Sequence, residues 1–233
     1  EVDRSLTMDI IRVLQEYWPS FCKALMITLE MTVFSLIFAT IIGTIVGLFN
    51  VSKIKPLQFI ANIYIDIVRG TPLLVQVFIM YYGLTQFLQF QWPAIGGFTS
   101  AFVAGVVTLS FNAGAYMAEI IRGGIEAVDK GQMEAARSLG LPYKKAMWKI
   151  ILPQAFRTML PSIINQFIIS LKDTSLISVI GPRELTQNGK IIAANSSTRV
   201  MAIWIVVALF YLVVCTILSR VAKLVERKVS YGK

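Results

Sequence analysis

Between positions 24 and 51 the only charged side chain is Glu30. A helix rises 1.5 Å per residue, and a hydrocarbon core about 30 Å thick needs about 20 mainly apolar residues to cross it. The run is long enough. Four more of the same kind follow, at about 57–88, 98–121, 151–171 and 200–221. A backbone in lipid must satisfy its own hydrogen bonds, so runs of this length are read as helices. The expected fold is all-α: a polytopic membrane protein with five transmembrane helices in a single domain over 1–233. Composition agrees, with 56% apolar and 15% charged residues and a mean hydropathy of +0.68. An ordinary soluble enzyme carries about 25% charged residues.

Upstream of the first run, IIRVLQEYWPSF carries Arg12 and Glu16 and is too short to span. It reads as an N-terminal interfacial amphipathic helix. Residues 1–9 do not resemble a signal peptide. Either the true start or a preceding domain is expected upstream of Glu1.

The net charge is +9, with no histidine and two cysteines, Cys22 and Cys215, in different apolar runs. Zinc, haem and iron–sulfur chemistry therefore lack ligands, and neither a metal site nor a catalytic residue is expected. The basic residues sit mostly between apolar runs. There they set topology and contact anionic lipid rather than nucleic acid. Placing the N-terminus outside puts 13 Lys and Arg on cytoplasmic segments and 7 on external ones, which favours N-out, C-in.

The cytoplasmic connector 122–150 is long for a passive loop. Asp129 is placed to cap a short helix over GQMEAARSL, Gly140 to end it, and Pro142 to start a second helix, YKKAMWKIIL. Glu134 and Arg137 stand three apart and can pair. Ala135 and Ala136 leave a low surface for another protein. The alternative is a pair of helices lying flat on headgroups. The spacing of Glu134-Ala135-Ala136, Gly140, Ile150 and Leu152-Pro153 resembles the EAA loop of ATP-binding-cassette importer permeases. That resemblance implies a cytoplasmic coupling helix docking on a separate ATPase dimer, with Glu134, Ala135, Ala136 and Gly140 as matched positions and Arg137 and Leu139 beside them. The chain has no GxxxxGK[ST] loop of its own. Consistent with the resemblance, no cofactor is expected on this chain, and ATP and magnesium are used by the partner.

Three further segments, 67–76 (IVRGTPLLVQ), 112–125 (NAGAYMAEIIRGGI) and 171–176 (LKDTSL), are similar to the polar amino-acid branch of those permeases, the glutamine, arginine and histidine type. This implies a second permease copy, identical or related, an extracytoplasmic binding protein or fused binding domain, and residence in the cytoplasmic membrane.

Polar groups at membrane depth need a reason. Asn112, Tyr116 and Glu119 share one helical face, as do Ser162, Gln166, Ser170 and Asp173. Asp66, Arg69, Thr71 and Gln76 surround Pro72, which should break its helix. The candidate substrate contacts are Asn112, Tyr116, Asp173 and Thr174, then Arg69 and Gln76. Structural alternatives stand beside these: an Asp66–Arg69 pair, a Glu119–Arg122 helix-end pair, and a polar interhelical partner for Glu30. The external stretch GPRELTQNG reads as a turn plus a short helix. The competing function is an ion-gradient-driven secondary transporter or channel subunit, which would have no use for the 122–150 loop.

Overall fold

The computed structural model describes residues 2–196 and 198–230. Glu1, Ser197 and 231–233, including Lys233 of the basic tail, lie outside the described residues. Eight helices account for most of the rest: α1 (Val2–Asn50), α2 (Lys55–Arg69), α3 (Leu73–Leu88), α4 (Ser100–Glu126), α5 (Lys130–Ser138), α6 (Tyr143–Ile180), α7 (Leu185–Ala194) and α8 (Val200–Ser230). Both α3 and α6 contain one wide π-type turn, at Ile79–Gly83 and Met147–Ile151. Among the described residues the only extended pairing is a bridge between Ile95 and Phe98. Among the described residues four helices are long and apolar enough to cross a membrane, and five spans result if the broken pair α2–α3 counts as one.

One boundary differs from the sequence reading. The N-terminal interfacial segment is not a separate helix, because α1 runs without interruption from Val2 through Pro19 to Asn50. A proline inside a helix removes one donor and costs about 3 kcal/mol in isolation. Val13 and Phe21 are fully buried in a cluster with Leu185, Ile203 and Val206. Burial of two such side chains contributes a similar amount, about 1.5–3 kcal/mol each, and holds the helix through the proline. The run 57–88 keeps the sequence expectation of a helix interrupted at Pro72. It breaks at Gly70-Thr71-Pro72, where Pro72 takes an extended conformation and α3 starts afresh behind it.

The chain forms two compact units, each drawn from three stretches: a first unit of 1–35, 72–109 and 168–218, and a second unit of 36–71, 110–167 and 219–233. In the first unit, one cluster gathers α1, α7 and α8 around Phe21, Leu185 and Ile203. Another gathers Met31, Phe102, Leu109 and Ile177. A Cβ on Gly105 would lie 2.5 Å from Ile177 Cγ2, so glycine permits that contact. The core of the second unit is built on Met117, Ile121, Ile151, Ala155 and Met159. Gly43 and Gly47 let α1 approach α4: a Cβ on Gly43 would lie 2.5 Å from Met117 Cβ.

The hydroxyls of the first apolar run are disposed of locally. Thr28, Thr32, Thr40 and Thr44 donate to carbonyls four residues earlier at 2.7–3.1 Å, and Ser35 does the same to Met31. That back-bonding hides a polar group inside the helix that carries it. The expected polar partner of Glu30 is not present among the described residues.

One buried carboxyl lies outside the spans. Glu184 is fully buried and caps α7, accepting from the Gln187 and Thr186 amides at 2.6 and 2.9 Å and from Tyr211 Oη at 3.0 Å. Burial pushes this carboxyl above the usual carboxylate value, against the lowering effect of those hydrogen bonds. Arg199 ties the start of α8 to α1 through Glu16 at 3.0 Å.

Candidate functional site

Within the second unit a cavity of about 510 Å³ opens between α2, α4 and α6. Ligand pockets commonly enclose about 300–1,000 Å³. Arg69, the last residue of α2, supplies one wall; Tyr116, Glu119 and Ile120 of α4 supply another; Pro161, Ser162, Asn165 and Gln166 of α6 close it.

Its charges form a ladder. Arg69 Nη1 donates to Glu119 Oε2 at 2.9 Å. Arg122 Nε reaches Glu119 Oε1 at 2.9 Å, and its Nη1 reaches Glu126 at 2.7 Å. The Arg69 guanidinium also stands 5.6 Å from the Tyr116 ring centroid, within cation–π range. Arg69 therefore pairs across helices with Glu119, not with Asp66. The Glu119–Arg122 pair forms as the helix-end alternative anticipates, but it belongs to this larger network. Both partners of the Arg69–Glu119 pair keep exposure to the cavity, with side chains 42% and 23% accessible.

Local sequence explains the placement. The break after Gly70 ends α2 at Arg69, so its side chain projects from a helix end. Tyr64 Oη donates to the Phe111 carbonyl at 2.5 Å, and Gly114 lets Ile42 and Tyr64 approach α4. These contacts fix α2 against α4. Pro161 removes one intrahelical donor from α6 at the wall that Ser162 and Asn165 share.

Of the sequence candidates, Arg69 and Tyr116 line the cavity. Asn112 lies one turn from Tyr116 on α4 and is buried in the same unit. Gln76, Asp173 and Thr174 belong to the first unit; Thr174 is fully buried and donates to the Leu171 carbonyl at 2.7 Å. Glu119 and Asn165 line the cavity without having been singled out as contacts. Glu119 was readable as part of the Asn112–Tyr116 stripe. Asn165 falls off the i, i+4 stripe of α6, and only its adjacency to Gln166 in an apolar run marks it.

The 122–150 connector folds as the sequence suggests, with two exceptions among its side chains. Asp129 caps α5 by accepting from the Gly131 amide at 2.7 Å. The Gly140 amide bonds Arg137 O at 3.0 Å and the Leu141 amide bonds Ala136 O at 3.1 Å, with Gly140 at φ +83°. This is a Schellman closure, which favours glycine at that position. Glu134 and Arg137 do not pair; Arg137 donates to the Leu141 carbonyl at 3.2 Å instead. Ala136 is buried and Ala135 exposed, so only one of the two alanines offers the low surface, while Leu139 protrudes at 83% exposure.

Residues 14–231 match the family model described as binding-protein-dependent transport system inner membrane component. The chain is 38% identical over 224 residues to the L-cystine transport system permease protein TcyB of Bacillus subtilis (strain 168), covering 96% of this chain and 92% of that one. It is 40% identical over 210 residues to the arginine transport system permease protein ArtQ of the same organism, covering 90% and 92%. Among solved structures, a chain from the crystal structure of an amino acid ABC transporter with histidines is 40% identical. It matches with a TM-score of 0.84 over 92% of this chain and 96% of that one.

Proposed function

The chain belongs to the family of inner membrane components of binding-protein-dependent transport systems, and from that premise we propose that it passes polar amino acids across the cytoplasmic membrane. The observation that carries the cargo reading is the cross-helix pair of Arg69 and Glu119 in the wall of one cavity. An amino acid is a zwitterion. Its carboxylate suits the Arg69 guanidinium and its ammonium suits Glu119, so the cargo can take the place of each charge's present partner without stranding either. Ser162, Asn165 and the Tyr116 ring supply neutral contacts around it. Asn112, Gln76, Asp173 and Thr174 remain separate candidates for contact with the cargo.

The driving chemistry is assigned to other subunits. A separate cytoplasmic ATPase dimer binds ATP and magnesium, and this chain carries no cofactor and no catalytic residue. Helix α5 with the exposed Leu139 is the element on which the ATPase pushes. Glu134, Ala135, Ala136, Arg137 and Gly140 form or shape that contact. A second permease copy, identical or related, completes the assembly, and an extracytoplasmic binding protein or domain delivers cargo. The N-terminus is assigned to the outside and the C-terminus to the cytoplasm.

Uptake of labelled arginine, glutamine and cystine into proteoliposomes tests the cargo site, with ATP hydrolysis measured in parallel. Arg69→Gln and Glu119→Gln are expected to lower uptake at least tenfold, the loss of one charged contact of about 1.5–3 kcal/mol. Full uptake in both variants would remove this cavity from the route.

A further inference from the structure

A second cavity lies wholly within the first unit. It encloses about 480 Å³ between Pro19, Ser20, Lys23 and Ile27 of α1 and the Arg183 and Asn188 side chains at the start of α7. Asn188 is fully buried. Its Oδ1 accepts from Ser20 Oγ at 2.9 Å and from Arg183 Nε at 3.0 Å. A guanidinium can only donate, so this pair of bonds fixes which end of the amide is oxygen. The other end is then a buried NH₂ donor, and among the described residues Asn188 Nδ2 has no hydrogen-bond partner. Buried donors without acceptors are rare and call for a missing partner.

The surroundings say what kind of partner. Lys23 and Arg183 are both exposed, and neither has an ion pair among the described residues. The nearby carboxylates are engaged elsewhere. Glu184 is taken up by the α7 amides and Tyr211, and Glu16 by Arg199. Glu30 stands seven residues further along α1, about 10 Å of helical rise away. Two uncompensated cations thus line one cavity, an orphaned amide donor is buried in its Asn188 wall, and its remaining walls, Pro19, Ala24 and Ile27, are apolar. That set of donors suits a phosphate oxygen cluster with a hydrocarbon tail beside it. The depth agrees: Lys23 is the last basic residue before the apolar run begins, and Trp18, 54% exposed, is the residue type that marks the headgroup level.

We propose that this cavity binds the phosphate of an anionic phospholipid through Lys23, Arg183 and the Asn188 amide, with an acyl chain against Pro19 and Ile27. Such a lipid would pin α1 to the segment before α7, independently of which cargo the chain carries.

Native mass spectrometry of the full chain in detergent, titrated with phosphatidylglycerol or phosphatidylcholine, tests the proposal. Phosphatidylglycerol should be retained in preference to phosphatidylcholine. Lys23→Gln and Arg183→Gln should each weaken that retention about fivefold, leaving phosphatidylcholine unaffected. Asn188→Leu should weaken it as well. Because Asn188 is buried, thermal unfolding of each variant is followed in parallel, and exposed Lys23 decides the matter if the others unfold. Equal retention of the two lipids, or undiminished phosphatidylglycerol retention in Lys23→Gln, would overturn the proposal. Inorganic phosphate competing as well as the lipid would assign the site to a free anion and overturn it equally.

Discussion

Among single residues, the carboxyl of Glu184 is buried while that of Glu119 stays accessible. Glu184 is buried, and its proton is held more tightly in the folded chain than in the unfolded one. Stability from this group is therefore complete below the ordinary carboxyl value of about 4.3 and is lost as pH rises through the raised folded value. Thermal unfolding in detergent should show this as a midpoint that falls with rising pH above the unfolded value. Glu184→Gln should remove that slope while losing one cap hydrogen bond, about 1 kcal/mol at every pH. An unchanged slope in the variant would assign the pH dependence to another group. Arg69 and Glu119 behave oppositely, remaining paired and accessible. Removing Glu119 leaves Arg69 without its carboxylate, whereas removing Arg69 leaves Glu119 paired with Arg122, and a double-mutant cycle of Arg69 and Glu119 on unfolding should show coupling of about 0.5–3 kcal/mol.

Among the elements, two glycines stand where a side chain would disturb the fold. Gly43 is where α1 meets α4 at Met117, and Gly43→Ala should destabilise the chain by about 1–3 kcal/mol through overpacking, read as a lower unfolding midpoint. Gly140 closes α5 at φ +83°, a conformation that costs a side-chain-bearing residue about 1–2 kcal/mol. Gly140→Ala and Leu139→Asp should both reduce amino-acid-stimulated ATPase activity of the assembled transporter without dissolving the fold. The elements also show what a sequence can disclose. The α5 cap at Asp129, its glycine closure, the break at Pro72 and the short helix after Gly181 all follow from short-range stereochemistry. They were readable for that reason. The continuous α1 was not, because what carries it through Pro19 is burial of Val13 and Phe21 against residues more than 160 positions away. The Arg69–Glu119 pair was hidden in the same way: Asp66 stands three residues off in sequence, and Glu119 fifty. Local spacing favoured the wrong partner.

For the whole molecule, the proposed cargo contacts on α2, α4 and α6 and the proposed drive surface on α5 lie on different elements. The assigned orientation makes its own prediction. Lys190→Cys should react with a membrane-impermeant maleimide added to the outside of intact cells, and Lys145→Cys only in inverted vesicles; the reverse pattern would invert the topology. A separate cytoplasmic ATPase, acting through α5 and Leu139, is proposed to drive amino acids across this chain. The direct measurement is uptake of labelled amino acid into proteoliposomes holding the chain, its ATPase and its binding protein, with ATP supplied or withheld and with ion gradients collapsed. Uptake should require ATP, survive loss of the gradients, and fall sharply in Leu139→Asp. Uptake that proceeds without ATP and follows a proton or sodium gradient would contradict it.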